Sequence, residues 1–163
     1  MRKAVALLAG LLVLAFANYG IAGRERLVNE GRVVLLELSP VDPRSLMQGD
    51  YMRLNFAVAD AAFPMLRNRP DVADGHLVVA LDRHGIGRLR GFANGRALAP
   101  GEVALRYRIR DGEPYFATNA FFFQEGKAGA FETARYGEFR VGADGEMILT
   151  GLRGPRLERL GAR

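Results

Sequence analysis

Histidine, serine, lysine and carboxylate side chains are the raw material of hydrolytic and metal chemistry, and this chain spaces them poorly for either. His76 and His84 are the only histidines. A zinc-type centre needs several ligands at short, characteristic intervals, and no such interval occurs. Cysteine is absent, which excludes thiolate ligands, thiol nucleophiles and disulfides. His84 falls in the turn Asp82-Arg83-His84-Gly85, where a solvated side chain is expected. Glu37, Asp50, Glu102, Glu125 and Glu132 are scattered, and their spacing selects no pair for acid–base work. Asp50 follows Gly49 at the start of a strand, where its carboxylate is suited to accept backbone N–H bonds and fix a turn. No metal and no cofactor is expected.

A serine–lysine pairing remains. The stretch from Pro43 through Ser45 to Gly49-Asp50 is similar to the turn of membrane-anchored signal peptidases, in which Pro-Thr-Leu, two residues and Gly-Asp precede a strand. In those enzymes the nucleophilic serine stands earlier, and the spacing puts Val41 there, which has no hydroxyl. Ser45 matches the threonine place and Ser39 is out of register. The base of that family is a strand lysine that loses its proton in an apolar site. Lys127, the only lysine besides Lys3, sits in a polar, glycine-containing segment. A Ser45–Lys127 hydrolase is the alternative reading; a shared turn is the preferred one.

Binding residues are easier to nominate. Arg106, Arg108 and Arg110 alternate with Val103, Leu105, Tyr107 and Ile109, so one strand carries an apolar face and an arginine ladder. Guanidinium forks bind phosphate or carboxylate bidentately, which admits an anionic lipid or a cell-wall polymer as ligand. The net charge of +5 agrees. Solvation of a strand face explains the same ladder without a ligand. No basic run interleaves with stacking aromatics, so no nucleic acid is expected as partner. Phe121 to Phe123 are expected in the core.

The elements follow from periodicity. Of 163 residues, Ala4 to Gly23 carry no charge, and twenty helical residues at about 1.5 Å each match a bilayer core of about 30 Å. Residues 1–23 are thus expected to be a transmembrane anchor. Arg2 and Lys3 favour the cytoplasmic side, which places the remainder outside the inner membrane, facing the periplasm in a bacterium. Ala15-Phe16-Ala17 also suits a cleaved signal peptide, but the apolar run continues through Tyr19 and Ile21. Residues 24–31 read as a helical continuation stopped by Gly31.

Residues 32–152 read as a β-rich exported domain whose strand segments alternate with period two, interrupted by irregular stretches at Ala59–Gly75 and Gln124–Arg135. Arg32–Leu38 is a strand burying Val34, Leu36 and Leu38. Asp50–Val58 is another, with Met52, Leu54, Phe56 and Val58 on one face and Tyr51, Arg53 and Asn55 on the other. Pro64 limits any helix near Ala61. Turns at Asp82–Gly85, Asp111-Gly112 and Asp144-Gly145 mark three hairpins, the second returning through a strand from Tyr115 to Phe123. A short helix is expected in Ala130–Arg135, and the basic segment 153–163 is expected to fray. The fold class is mainly β: an N-terminal transmembrane helix, then a small antiparallel barrel or sandwich with little helix.

With Gly49, Asp50, Tyr51, Leu54 and Phe56 in this order, the chain resembles the GDYXXLXY-motif family of membrane-anchored bacterial proteins. Phe56 stands where the motif has tyrosine, which keeps the ring and drops a hydroxyl. Leu36–Leu46, Leu98–Glu102, Gln124–Lys127 and Tyr136–Glu138 are also similar to the family, so the likeness runs from the anchor to about Leu152. The resemblance implies no reaction. It implies an envelope protein that works beside a multi-spanning membrane protein. In the motif Gly49 permits the turn, Asp50 ties it, and Leu54 and Phe56 pin the strand. Tyr51 and Arg53 then project as the first candidates for contact with an integral membrane partner.

Overall fold

The computed structural model describes residues 2–39, 47–48, 51–66, 73–111, 113–116, 118 and 120–161, without the side chains of residues 2, 4–7, 47, 48 and 113. Gly49, Asp50, Val41 and Ser45 therefore lie outside the described residues.

The uncharged N-terminal run and its arginine-bearing continuation form one helix, α1 (Arg2–Glu30). It stops at Gly31, whose N–H still bonds to the Leu27 carbonyl at 2.9 Å. A Cβ at Gly31 would stand 2.3 Å from that carbonyl oxygen, so the backbone can pass this point only without a side chain. Arg140 Nη1 donates to the Gly31 carbonyl at 3.1 Å, placing a cation at the negative end of the helix dipole. Leu11, Leu12, Val13 and Leu14 point around the whole circumference of α1, and each is between 61 and 69% exposed. Among the described residues no helix is long and apolar enough to cross a membrane.

The β domain follows in the order β1 (Arg32–Glu37), β2 (Met47–Gln48), β3 (Tyr51–Arg53), α2 (Ala57–Ala62), β4 (Gly75–Leu81), β5 (Gly87–Phe92), β6 (Glu102–Arg110), β7 (Glu113–Phe116), β8 (Ala120–Phe122), β9 (Tyr136–Val141) and β10 (Met147–Arg153). Single 3-10 turns occupy Phe63–Met65 and Ala128–Phe131. The strands form three antiparallel sheets with orders β1-β9-β10, β2-β3-β8 and β5-β4-β6-β7. Mainly β and antiparallel is thus the architecture; among the described residues the sheets do not close into a barrel.

The hairpins β4–β5, β6–β7 and β9–β10 lie at the Asp/Gly turns expected of them. In the first, Asp82 Oδ1 accepts the N–H groups of His84 at 2.8 Å and Ile86 at 3.0 Å. Those bonds hold the Asp82 carboxyl below its ordinary range, the Ile86 N–H foremost. Two turns also tie the sheets together. The Gly85 carbonyl accepts from Leu35 N–H at 2.9 Å and the Gly145 carbonyl from Arg106 N–H at 2.9 Å. The first contact covers Leu35, so β1 buries Val34, Leu35 and Leu36 in succession rather than one face alone.

Four expectations are corrected. The strand expected over Asp50–Val58 turns into a helix after Phe56: the Phe56 carbonyl accepts from Ala59 and Asp60, and the alanines of 57–62 favour helix over strand. Val58 remains buried, but from α2. The strand expected over Tyr115–Phe123 divides. β7 pairs with β6, whereas β8 pairs with β3; between them Thr118 Oγ1 donates to the Ala120 carbonyl at 2.9 Å. The expected helix in Ala130–Arg135 is a 3-10 turn starting two residues earlier. Finally, the tail does not fray through residue 161. It folds back on β10, with Leu160 N–H bonded to the Leu152 carbonyl at 2.9 Å and Arg153 Nη1 to the Leu157 carbonyl at 2.7 Å.

Candidate functional site

The signature strand alternates as its pattern demands. Met52, Leu54 and Phe56 are buried, Tyr51 is half-buried, and Arg53 and Asn55 are exposed. Phe56 sits edge-on to Phe139 at 5.3 Å and to Phe116 at 6.1 Å between ring centroids. Its ring lies so close to β9 that a Cβ on Gly137 would be 2.9 Å from it. Glycine at 137 thus makes room for the last motif residue, and the Tyr136–Glu138 block and the motif are two sides of one contact.

On the outward face Tyr51 pairs with Phe122 across β3 and β8, their rings 5.9 Å apart and tilted. Phe122 is 75% exposed. This corrects the placement of the aromatic block: Phe121 and Phe123 pack on Phe131, while Phe122 faces out beside Tyr51. Half-buried Tyr51 with exposed Arg53 and Phe122 makes an aromatic and cationic patch.

The arginine ladder lies on a different sheet and is more occupied than a solvated strand face. Arg106 Nη1 donates to Glu146 Oε1 at 2.8 Å, and Arg108 Nη2 reaches the same oxygen. Arg110 lies over the Tyr115 ring, 5.9 Å from its centroid. These residues form one wall of a groove of about 1030 Å³ whose other wall is the C-terminal part of α1, from Tyr19 to Gly31. Arg24, Arg26 and Glu30 also line it. Arg26 Nε bonds to Glu30 at 2.9 Å, which holds the Arg26 guanidinium above its ordinary value. Among the described residues, Tyr51, Arg53, Leu54 and Phe56 do not line this groove, so these two candidate surfaces do not merge into one cleft.

Among the described residues neither histidine ring is bonded to a carboxylate or hydroxyl side chain. His76 Nε2 lies 3.0 Å from the Asp144 carbonyl, which can only accept, so that nitrogen carries the proton. His84 is exposed and accepts from Arg83 Nε at 3.0 Å. Lys127 is exposed beside a 3-10 turn rather than enclosed in an apolar site. Ser39, a half-buried serine, donates to the Asp60 carboxylate.

Two features escaped the sequence reading. Glu138 is buried at 5% exposure and bonds to Arg153 Nε at 2.6 Å. Thr150, the extra residue where the β9–β10 register shifts, donates to the Glu138 carbonyl at 3.2 Å. The one carboxylate of the Tyr136–Val141 strand, followed by a hairpin ending in arginine, was the available signal. Glu146 is the other feature; only the excess charge on β6 hinted that a carboxylate must answer it.

The family model for the GDYXXLXY protein matches residues 13–152. No curated protein and no solved structure matches the chain.

Proposed function

The chain belongs to the GDYXXLXY family, and from that premise we propose that it is a single-pass protein of the bacterial inner membrane whose periplasm-facing β domain binds an integral membrane protein. The carrying observation is α1. Its uncharged run, Ala4 to Gly23, carries apolar side chains that are stable only when covered, yet Phe16 and Tyr19 are 81 and 82% exposed. Lipid is the cover that suits twenty uncharged residues flanked by Arg2 and Lys3 on one side and Arg24 on the other.

The docking surface is the patch of Tyr51, Arg53 and Phe122. Tyrosine and arginine beside an exposed phenylalanine have the composition of interface centres. The buried half of the same strand holds that patch in a fixed orientation, and this favours an architectural role for the motif over a reactive one. The turn expected from sequence at Gly49 and Asp50, outside the described residues, is proposed as part of that architecture.

The test is recovery from membranes. The full chain should resist alkaline carbonate extraction and co-purify with a membrane-resident protein after mild solubilisation. Tyr51→Ser combined with Arg53→Glu should release that protein without unfolding the domain. Recovery of the wild type as a free monomer under every solubilisation condition would contradict the reading.

A further inference from the structure

The groove between α1 and β6 is built for an anion, and its position says which one. Five arginines line it, Arg24, Arg26, Arg106, Arg108 and Arg110, against the three carboxylates of Glu30, Asp144 and Glu146. Arg26 is matched one to one by Glu30. Arg106 and Arg108 share Glu146 alone. Among the described residues Arg24 and Arg110 have no carboxylate within ion-pair distance. Positive charge in the groove therefore exceeds its internal compensation, and the volume of about 1030 Å³ suits a ligand larger than a single ion.

The second wall supplies the rest. It begins at Tyr19, an aromatic residue near the outward end of the uncharged run, where a membrane interface favours such side chains, and toward the N-terminus run the exposed apolar residues of α1. A ligand seated here meets guanidinium groups at one end and an apolar helix at the other. We propose that the groove holds the phosphate headgroup of an anionic phospholipid from the outer leaflet of the membrane crossed by α1, with Glu146 occupying the arginine fork until the phosphate displaces it. This rests on the anchoring reading above. Arg106 and Arg108 then turn from a shared carboxylate to a phosphate, for which guanidinium geometry is equally suited. Arg110 is held in place by the Tyr115 ring, a cation–π contact that leaves its N–H groups available to the phosphate. Because the Arg106, Arg108 and Glu146 side chains are 38, 43 and 35% exposed, exchanging one anion for another costs little.

The experiment uses the full chain in neutral detergent, offered phosphatidylglycerol and phosphatidylcholine in equal amounts, with retained lipid counted by native mass spectrometry. The wild type should retain phosphatidylglycerol about tenfold over phosphatidylcholine, and the preference should fall as salt is raised. Arg108→Gln and Arg110→Gln should each reduce it. Glu146→Gln should increase it, because the internal competitor is gone; an ion pair with a purely structural role would leave retention unchanged. Equal retention of the two lipids by the wild type, or a preference indifferent to all three substitutions, would overturn the proposal. Glycerol phosphate bound as tightly as the intact lipid would overturn the lipid assignment in favour of a soluble phosphate ester. The two readings fail separately: release by alkaline carbonate contradicts the anchor, whereas lost lipid preference in a carbonate-resistant chain contradicts the headgroup site.

Discussion

β3 and β6 are built alike and end up with opposite outward faces. Each buries alternate side chains, Met52 from one and Val103, Leu105 and Tyr107 from the other. Outward, β3 offers Tyr51 and Arg53 beside an exposed phenylalanine, whereas β6 offers arginines already engaged by Glu146. Period-two alternation therefore fixes which residues leave the core, and the neighbouring element decides what those residues are for. β8 brings Phe122 to Tyr51 and makes an apolar contact surface. α1 and the β9–β10 turn bring carboxylates and a helix wall to the arginines and enclose them in a groove.

The largest effect that would break this comparison lies under β3. Phe56→Ala should cost about 3–5 kcal/mol of unfolding free energy, read by chemical denaturation, because its ring joins β7 and β9 through Phe116 and Phe139. A loss below about 1 kcal/mol would mean that the motif does not pin the strand to the core. Next, Arg153→Met should cost about 3 kcal/mol by stranding the buried Glu138 carboxylate, and Glu138→Met in the same chain should recover much of it. An additive double variant would contradict the coupling.

Smaller effects sharpen the contrast. Gly137→Ala should cost about 1–3 kcal/mol, since the added methyl meets Phe56 and Phe139 at 2.9 and 3.0 Å; a neutral result would show that those rings can shift. Phe122→Ser should lower stability by no more than about 1 kcal/mol while abolishing partner recovery, a separation that Phe56→Ala cannot give.

The smallest effect is one of pH. The folded-state pKa of Asp82 is depressed by its bonds to backbone N–H groups. Its contribution is complete above the unfolded carboxylate pKa and is lost as pH falls through the depressed folded value. Protection of the His84 and Ile86 amides, taken relative to their intrinsic exchange rate at each pH, should therefore fall below the ordinary carboxylate range in the wild type, and Asp82→Ala should remove that dependence. An unchanged profile would contradict it.

The legible parts of the fold were those written in local chemistry. Asp82–Gly85, Asp111 and Asp144-Gly145 carry their turns in two to four residues, and Gly31 ends α1 because nothing larger than hydrogen fits beside the Leu27 carbonyl. Tyr51 to Phe56 alternate correctly for the same reason. The illegible parts depended on residues far along the chain. No local pattern tells that β8 abandons β6 for β3, or that Phe122 is the outward member of its aromatic run. The basic tail looked unrestrained because its partners, the Leu152 and Glu138 groups, lie on a hairpin whose bulge at Thr150 sets their position. Arg106, Arg108 and Arg110 were legible as a face; the Glu146 carboxylate that answers two of them, and the helix that roofs them, were not.

The claim that the signature strand presents a docking surface is tested most directly by site-specific photo-crosslinking in intact membranes. A photoreactive phenylalanine analogue replaces Phe122 in one preparation and Leu98, exposed on a connecting loop, in another. The account predicts an adduct with a carbonate-resistant membrane protein from position 122 alone, lost when Tyr51→Ser and Arg53→Glu are introduced beside it. The same adduct from both positions, or one from position 122 that survives those two substitutions, would contradict it.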